Sequence, residues 1–129
     1  MSSIKVSNFS NLDGSIQATA NNVVGGSGKA WADLNGTGTI ELRPGSNNVN
    51  GTTDNGTGDY SFTFTSSFDS VNYIWLGGGQ AEFGVHFSCP KLYTSNTKLV
   101  GSIRVANMYA SAGLQDSAHM HWAILGVLA

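Results

Sequence analysis

Apolar and polar residues alternate at period two in several short segments, and this pattern predicts β-strands. The clearest segment is 59–65, where aromatic residues at 60, 62 and 64 alternate with Ser and Thr. No Gly-free window of twelve or more residues keeps a convincing 3.6-residue period. We therefore predict an all-β chain in which this strand has one buried aromatic face and one face toward water.

Further strands and the turns between them follow from the same pattern. Strands are predicted at residues 29–34, 37–43, 71–76, 81–88, 98–106 and 118–125. Asn35-Gly36, Asn50-Gly51 and Asn55-Gly56 lie between strands, and such dipeptides suit tight turns because they reach positive φ easily. A turn signal roughly every 8–12 residues is typical of a sandwich or small barrel. We predict a two-sheet antiparallel sandwich, jelly-roll-like.

Residues 1–28 differ from the rest of the chain. Phe9 is their one aromatic residue, and they end in Val24-Gly25-Gly26-Ser27-Gly28, a flexible linker composition. We predict an N-terminal arm and linker over residues 1–28 and a sandwich domain over 29–129. A first strand pair of the same sandwich is an equally good interpretation of the arm.

Composition and charge exclude several classes of partner. Six basic and eight acidic residues give a net charge of −2, and scattered cations do not make the basic patch that phosphate binding needs. No run approaches the roughly 18 apolar residues of a membrane helix, and the N-terminus lacks the apolar stretch of a signal peptide. We expect no nucleic-acid partner and no membrane insertion, in a protein made in the cytoplasm.

Tests for catalytic chemistry find no complete constellation. The chain has no Gly-x-Ser-x-Gly elbow, and Gly25-Gly26-Ser27-Gly28-Lys29-Ala30 departs from a phosphate-binding loop at positions 23 and 30. The lone Cys89 offers no disulfide, redox or zinc pair. We predict that the protein is not an enzyme and carries no cofactor.

The most specific local feature is His119-Met120-His121 in the last predicted strand. Alternation places His119, His121, Ala123 and Leu125 on one face and Ala118, Met120, Trp122 and Ile124 on the other. Because both faces carry apolar residues, we expect one to meet the core and the other to meet a second copy of the chain. Three such histidine pairs around a symmetry axis would supply six ligands for an octahedral metal. The favoured interpretation is that the two histidines bond to backbone or water, so no metal is predicted.

The motifs within residues 29–126 resemble those of bacteriophage tail-fibre proteins. The chain reads Lys-Ala-Trp-Ala-Asp-Leu-Asn-Gly-Thr-Gly-Thr from residue 29 and Asp-Asn-Gly-Thr-Gly-Asp-Tyr from residue 54. The family commonly reads Lys-Ala-Trp-Val-x-Phe-Asn-Gly-Thr-Gly-Thr and then Asp-Asn-Gly-Thr-Gly-Asp-Tyr. The similarity continues through Ser102-Ile103-Arg104-Val105, Asp116-Ser117 and Ala123-Ile124.

The resemblance implies a β-structured, homotrimeric virion protein at the tip or shaft of a tail fibre, and it implies no catalytic residues. Two stretches depart from the family pattern, His119-Met120-His121-Trp122 and Leu76-Gly77-Gly78-Gly79-Gln80. Tail-fibre subunits also carry long N-terminal regions, whereas Met1 lies 28 residues upstream of the first motif residue. The chain is therefore either a small virion protein or a fragment.

Two functions are open at this stage. The first is a trimeric tail-fibre module that attaches to host-surface glycan through aromatic and amide side chains near turns. Its candidate contacts are Trp75, Tyr93, Asn96, Asn107, Tyr109 and Gln115. The alternative is a capsid decoration or head-fibre protein that binds other virion proteins through residues 1–28.

Self-association is expected in either case, because Trp31 lies outside the apparent core on the face it shares with Lys29 and Asp33. The candidate subunit contacts are Trp31, His119, His121, Ala123 and Leu125.

Overall fold

The computed structural model of the chain describes residues 7–10, 13–14, 17–19, 23, 26–79, 89–92, 98–109 and 113–129. The strands in these residues pair antiparallel throughout. They are β1 (Asn8–Ser10), β2 (Gln17–Thr19), β3 (Gly28–Asn35), β4 (Glu41–Leu42), β5 (Val49–Gly56), β6 (Asp59–Phe64), β7 (Ile74–Gly79), β8 (Cys89–Leu92), β9 (Ser102–Tyr109), β10 (Gly113–Leu114) and β11 (Met120–Leu125).

Two larger sheets form a sandwich. One has the order β10-β9-β6-β5, with β8 also paired to β9, and the other has the order β4-β3-β11-β7. The predicted all-β, two-sheet antiparallel sandwich is thereby confirmed. Strands β1 and β2 form a separate two-stranded sheet, and the division of the chain at residue 28 stays a prediction.

Alternation along three strands builds the core. Positions 60, 62 and 64 of β6 are buried, as predicted, while 61 and 63 are not. Positions 30, 32 and 34 of β3 and 120, 122 and 124 of β11 supply the facing side chains. Phe62 meets Trp122 edge to face with ring centroids 4.9 Å apart, a favourable geometry that links the two sheets. The two alanines of β3 leave room for the aromatic side chains opposite them.

One end of the sandwich is tied by the Tyr60 phenol. Its hydroxyl donates to Asp116 Oδ1 at 2.6 Å and also lies 3.1 Å from the Gly36 carbonyl oxygen. Asp116 Oδ1 accepts a second hydrogen bond, 2.7 Å long, from the Gly58 backbone N–H. Burial, together with the hydrogen bond to Asp116, raises the pKa of Tyr60 well above its ordinary value. The sequence Asn-Gly-Thr-Gly occurs at residues 35–38 and 55–58. Both segments therefore meet at the Tyr60 phenol and the Asp116 carboxylate, through Gly36 and Gly58.

Glycine is required at both of these contacts. At Gly36, a Cβ would collide with the Tyr60 ring and its hydroxyl. Gly58 has φ +64°, and a Cβ there would lie 2.6–2.7 Å from backbone atoms of Asn107 and Gln115. The Gly36 N–H donates to the Ser117 carbonyl at 2.8 Å, so the backbone on each side of Tyr60 is fixed as well.

Aromatic rings close the opposite end. Phe68 packs 5.1 Å from Phe64 and 4.7 Å from Tyr73, measured between ring centroids. The Tyr73 hydroxyl donates toward the Leu99 carbonyl at 3.2 Å, and burial raises the pKa of Tyr73 to about 12. This cluster holds the loop after β6 and the C-terminal segment against the core.

Three local predictions were wrong in their positions. Asn50-Gly51 was expected to be a turn but lies inside β5, which pairs with β6 through a bulge at this point. Most of the predicted strand 37–43 is bent, and only Glu41–Leu42 pairs with β3. The predicted strand 71–76 begins later, at Ile74, and continues through three glycines because β11 supplies the pairing.

The remaining strand predictions are confirmed with shifted ends. β3, β6, β9 and β11 fall within or close to the predicted ranges 29–34, 59–65, 98–106 and 118–125. Asn55-Gly56 ends β5 at the hairpin whose turn is Thr57-Gly58. The predicted strand 81–88 lies outside the described residues.

Replacing the Tyr60 hydroxyl tests the end tie. Tyr60→Phe should lower the free energy of unfolding by about 1–3 kcal/mol in urea, because the buried phenol no longer donates to the charged Asp116 carboxylate, which keeps only the hydrogen bond from the Gly58 N–H. Tyr73→Phe is the matched control, since it removes a hydroxyl that bonds neutral carbonyl oxygens, and should cost about 0.5–1.5 kcal/mol. Equal losses of unfolding free energy in the two variants would show that the Asp116 carboxylate adds nothing to the hydrogen bond of Tyr60.

Candidate functional site

The four-stranded sheet turns one face to the core and leaves the other open. Opposite residues in the ladder give two outward rows, Leu76-Ala123-Trp31 and Gly78-His121-Asp33. Ile74 and Leu125 begin a third row beside the first. We call this surface the outer face; it consists of Trp31, Asp33, Ile74, Leu76, Gly78, His121, Ala123 and Leu125.

Large apolar side chains are exposed on the outer face. Ile74 is 59% exposed, Leu76 53% and Trp31 42%. Scattered apolar residues on a protein surface are normal, but these three lie on β3 and β7, which flank β11 in one sheet, and Ala123 of β11 lies between Trp31 and Leu76. The outer face is therefore a contiguous apolar surface with a polar row along one side.

A groove of about 450 Å³ runs across the outer face. Trp31 and the segment Pro44–Ser46 form one wall, Leu76 the other, and Gly78, His121 and Ala123 contribute to the lining. The Trp31 indole N–H donates to the Gly45 carbonyl at 2.7 Å, and paired backbone hydrogen bonds join Trp31 to Asn47. These bonds fix the indole, so this wall of the groove is pre-formed.

Charged groups meet at one end of the groove. Asp33 Oδ2 lies 3.7 Å from Arg43 Nε and 3.6 Å from His119 Nδ1. Arg43 also donates to the Ala118 carbonyl at 2.8 Å, which holds the guanidinium beside β11. All three side chains are partly exposed, and such pairs contribute little to stability. Asp33 Oδ1 is shielded from water and has no hydrogen-bond partner within the described part of the chain.

The glycines of β7 let His121 lie flat against the sheet. A Cβ on Gly78 would stand only 2.7 Å from His121 Nε2, so the imidazole covers the strand where a side chain is missing. Gly77 and Gly78 both line the groove. The Gly-rich run that departs from the tail-fibre pattern is thus a floor for the groove.

The predicted subunit contacts lie together. Trp31, His121, Ala123 and Leu125 belong to the outer face, and His119 borders it through Asp33. The sequence did not single out Asp33, Leu76, Gly78 and Ser46 as site residues, although the alternation that turns Trp31 outward also turns Asp33 outward. Leu76 and Gly78 required the pairing of β7 with β11, which no local pattern reveals.

The predicted receptor contacts do not form a site in the described residues. Trp75 points inward and packs against the core, and Asn107 is fully buried with its amide donating to the Gln115 carbonyl at 2.9 Å. Asn107 is therefore structural, which corrects its interpretation as a surface contact, whereas Trp75 is only partly buried and its contact role stays a prediction. Tyr109 ends β9, where its backbone pairs with Gly113, and Gln115 is partly exposed. Tyr93 and Asn96 lie outside the described residues.

Neither a metal cluster nor a membrane-spanning helix is found where the structure is described. His119 and His121 do not join a third ligand in a group that would hold a metal ion among these residues. No helix in the same residues has the length and apolar character needed to cross a membrane.

Comparisons with protein-family models, with curated protein sequences and with solved structures found no match to this chain. The class of protein that fold and site define is thus an antiparallel β-sandwich with an apolar grooved face on one sheet. The tail-fibre resemblance stays a prediction carried by the motifs in the sequence.

A pair of glycine substitutions tests which contacts are rigid. Gly36→Ala should lower the free energy of unfolding by about 1–3 kcal/mol, because the new methyl group collides with Tyr60 and with the Ser117 backbone. Gly78→Ala should cost no more than about 0.5 kcal/mol, because only the exposed end of His121 has to move. Urea unfolding measures both, and a larger cost at Gly78 would contradict this description of the groove floor.

Proposed function

We propose that this protein is a structural component of a phage virion, a tail-fibre-type module that assembles as a homotrimer through its outer face. The observation that carries the proposal is the exposure of Trp31, Ile74 and Leu76 on the same face of one sheet, on the two strands that flank β11. The motif resemblance supplies the virion context. Attachment to host-surface glycan, which the resemblance also implies, belongs to the same proposal.

The outer face suits a second copy of itself better than an unrelated partner. It carries both projecting aliphatic side chains, Ile74 and Leu76, and a groove beside Trp31 that is large enough to accept such a side chain. Among the described residues, the charged groups on or beside the outer face are two cations, Lys29 and Arg43, and two anions, Asp33 and Glu41. Copies that meet through a neutral face do not repel each other.

Adding a charge to the outer face tests the assembly. Leu76→Lys should convert the trimer into a monomer in sedimentation velocity at about 10–100 µM, because burying an unpaired ammonium opposes the gain from apolar contact. The fold should persist, since Leu76 is exposed in the single chain.

Thr53→Lys is the matched control, because Thr53 is an exposed residue of the other sheet, opposite Ser61 in the ladder. This variant should remain a trimer. Unmodified protein that sediments as a monomer across the whole concentration range would contradict the proposal.

A second candidate function is favoured by one feature of the groove. The Trp31 indole is fixed and half-exposed beside the Asp33 carboxylate and the His121 imidazole, and a rigid aromatic ring with nearby polar groups is an arrangement that binds sugar rings. In this alternative the groove is the host-glycan site of a chain that does not use its outer face for assembly.

The two functions differ in what Trp31→Ala should do. If the groove holds glycan, the unmodified protein is monomeric and binds host cells, and Trp31→Ala lowers this binding at least about tenfold, the effect of losing one aromatic contact. If the outer face joins copies, Trp31→Ala weakens the trimer. Flow cytometry with labelled protein and sedimentation on the same samples separate these results.

A further inference from the structure

Two histidines border the surface that the proposed trimer buries. His121 stands at the centre of the polar row along one side of the outer face, between Asp33 on β3 and Gly78 on β7. His119, just before β11, has its Nδ1 3.6 Å from Asp33 Oδ2. Histidine is the side chain that ordinarily gains a proton between pH 8 and pH 5. Protonation of these two imidazoles would therefore add positive charge to the outer face.

The counterions around these histidines are few and already shared. The charged side chains on or beside the outer face are Lys29 and Asp33 of β3, Glu41 of β4, and Arg43, which follows β4. The described part of β7 adds no titratable side chain. Asp33 already faces both Arg43 and His119, so a protonated His121 would have no carboxylate to itself. Among the described residues, Ala123, Leu76 and the glycines of β7 are its other neighbours on β11 and β7.

The sum of charges on this surface changes from zero to about +2 per copy when both imidazoles are protonated. In a trimer those charges would face each other across an apolar contact from which water is excluded. Like charges in such a medium repel more strongly than in water, and each also loses hydration. Neutral histidines carry neither cost.

We propose that protonation of His119 and His121 weakens the self-association of this chain, so that its outer face is a pH-sensitive contact. This inference rests on the proposed assembly through the outer face and names its regulation. Acid should release the copies from each other without unfolding them, because both imidazoles are partly or largely exposed in the single chain.

Sedimentation equilibrium of the full chain at pH 7.5 and pH 5.5, in about 0.15 M salt, tests the proposal. The dissociation constant of the unmodified protein should rise at least about tenfold at the lower pH, the change expected when one proton is taken up on dissociation over about one pH unit. The double variant His119→Gln, His121→Gln should change less than about threefold, because glutamine keeps hydrogen bonding but never becomes charged. Near-UV circular dichroism at both pH values reports the fold.

His86→Gln is the control, because residue 86 is the third histidine of the chain and the proposal gives it no role. This variant should respond to pH like the unmodified protein. A trimer equally tight at both pH values, or a double variant that keeps the full response, would overturn the inference and leave the assembly intact. Loss of the near-UV signal at pH 5.5 would assign the effect to unfolding and would also overturn it. A protein that is monomeric at both pH values would overturn the proposed assembly itself.

Discussion

The hydrogen bond between the Tyr60 phenol and the Asp116 carboxylate fixes one end of this sandwich. Through it the two Asn-Gly-Thr-Gly segments, far apart in sequence, meet the connection that leads into β11. Tyr60 is buried although Asp116 is exposed, and a hydrogen bond to a charged carboxylate contributes more than one between neutral groups. β11 is consequently held in register between β3 and β7, and the positions of Trp31, His121 and Leu76 on the outer face follow from that register.

The motifs that resemble tail-fibre proteins thus have a structural explanation in this chain. Gly36, Gly58 and Tyr60 build the tie, and Asp59 forms a two-fold hydrogen-bonded ion pair with Arg104 across β6 and β9. None of these side chains lines the groove. The residues that do line it come largely from two sources: Trp31, Ala32, Asp33 and Ala123 belong to the resembling motifs, whereas His121-Trp122 and Leu76-Gly77-Gly78 belong to the stretches that depart from the family pattern. The surface that we propose to be functional therefore combines Trp31 and Asp33 of one resembling motif with side chains from the departing stretches.

Alternation predicted the parts of the fold in which burial is one-sided. The faces of β3, β6 and β11 could be assigned because small, aromatic and polar residues alternate cleanly there. β5 could not be predicted as a strand, because its Asn-Gly dipeptides locally favour turns. In the fold, pairing with β6 overrides this local preference. The groove was predicted only in part. Leu76 and Gly78 lie near Trp31 because β11 pairs with both β7 and β3, and these pairings join strands far apart in the sequence. Asn107 was misassigned because sequence does not distinguish a buried amide that satisfies a turn from an exposed one.

Hydroxyl-radical footprinting of the unmodified chain at high and low concentration tests the central claim most directly, since it reads side-chain exposure residue by residue. The account predicts that Trp31, Ile74 and Leu76 become protected together as concentration rises, while the exposed Leu99 on the loop before β9 keeps its labelling. Equal labelling of the outer-face residues at all concentrations would contradict the claim that this surface joins copies of the chain.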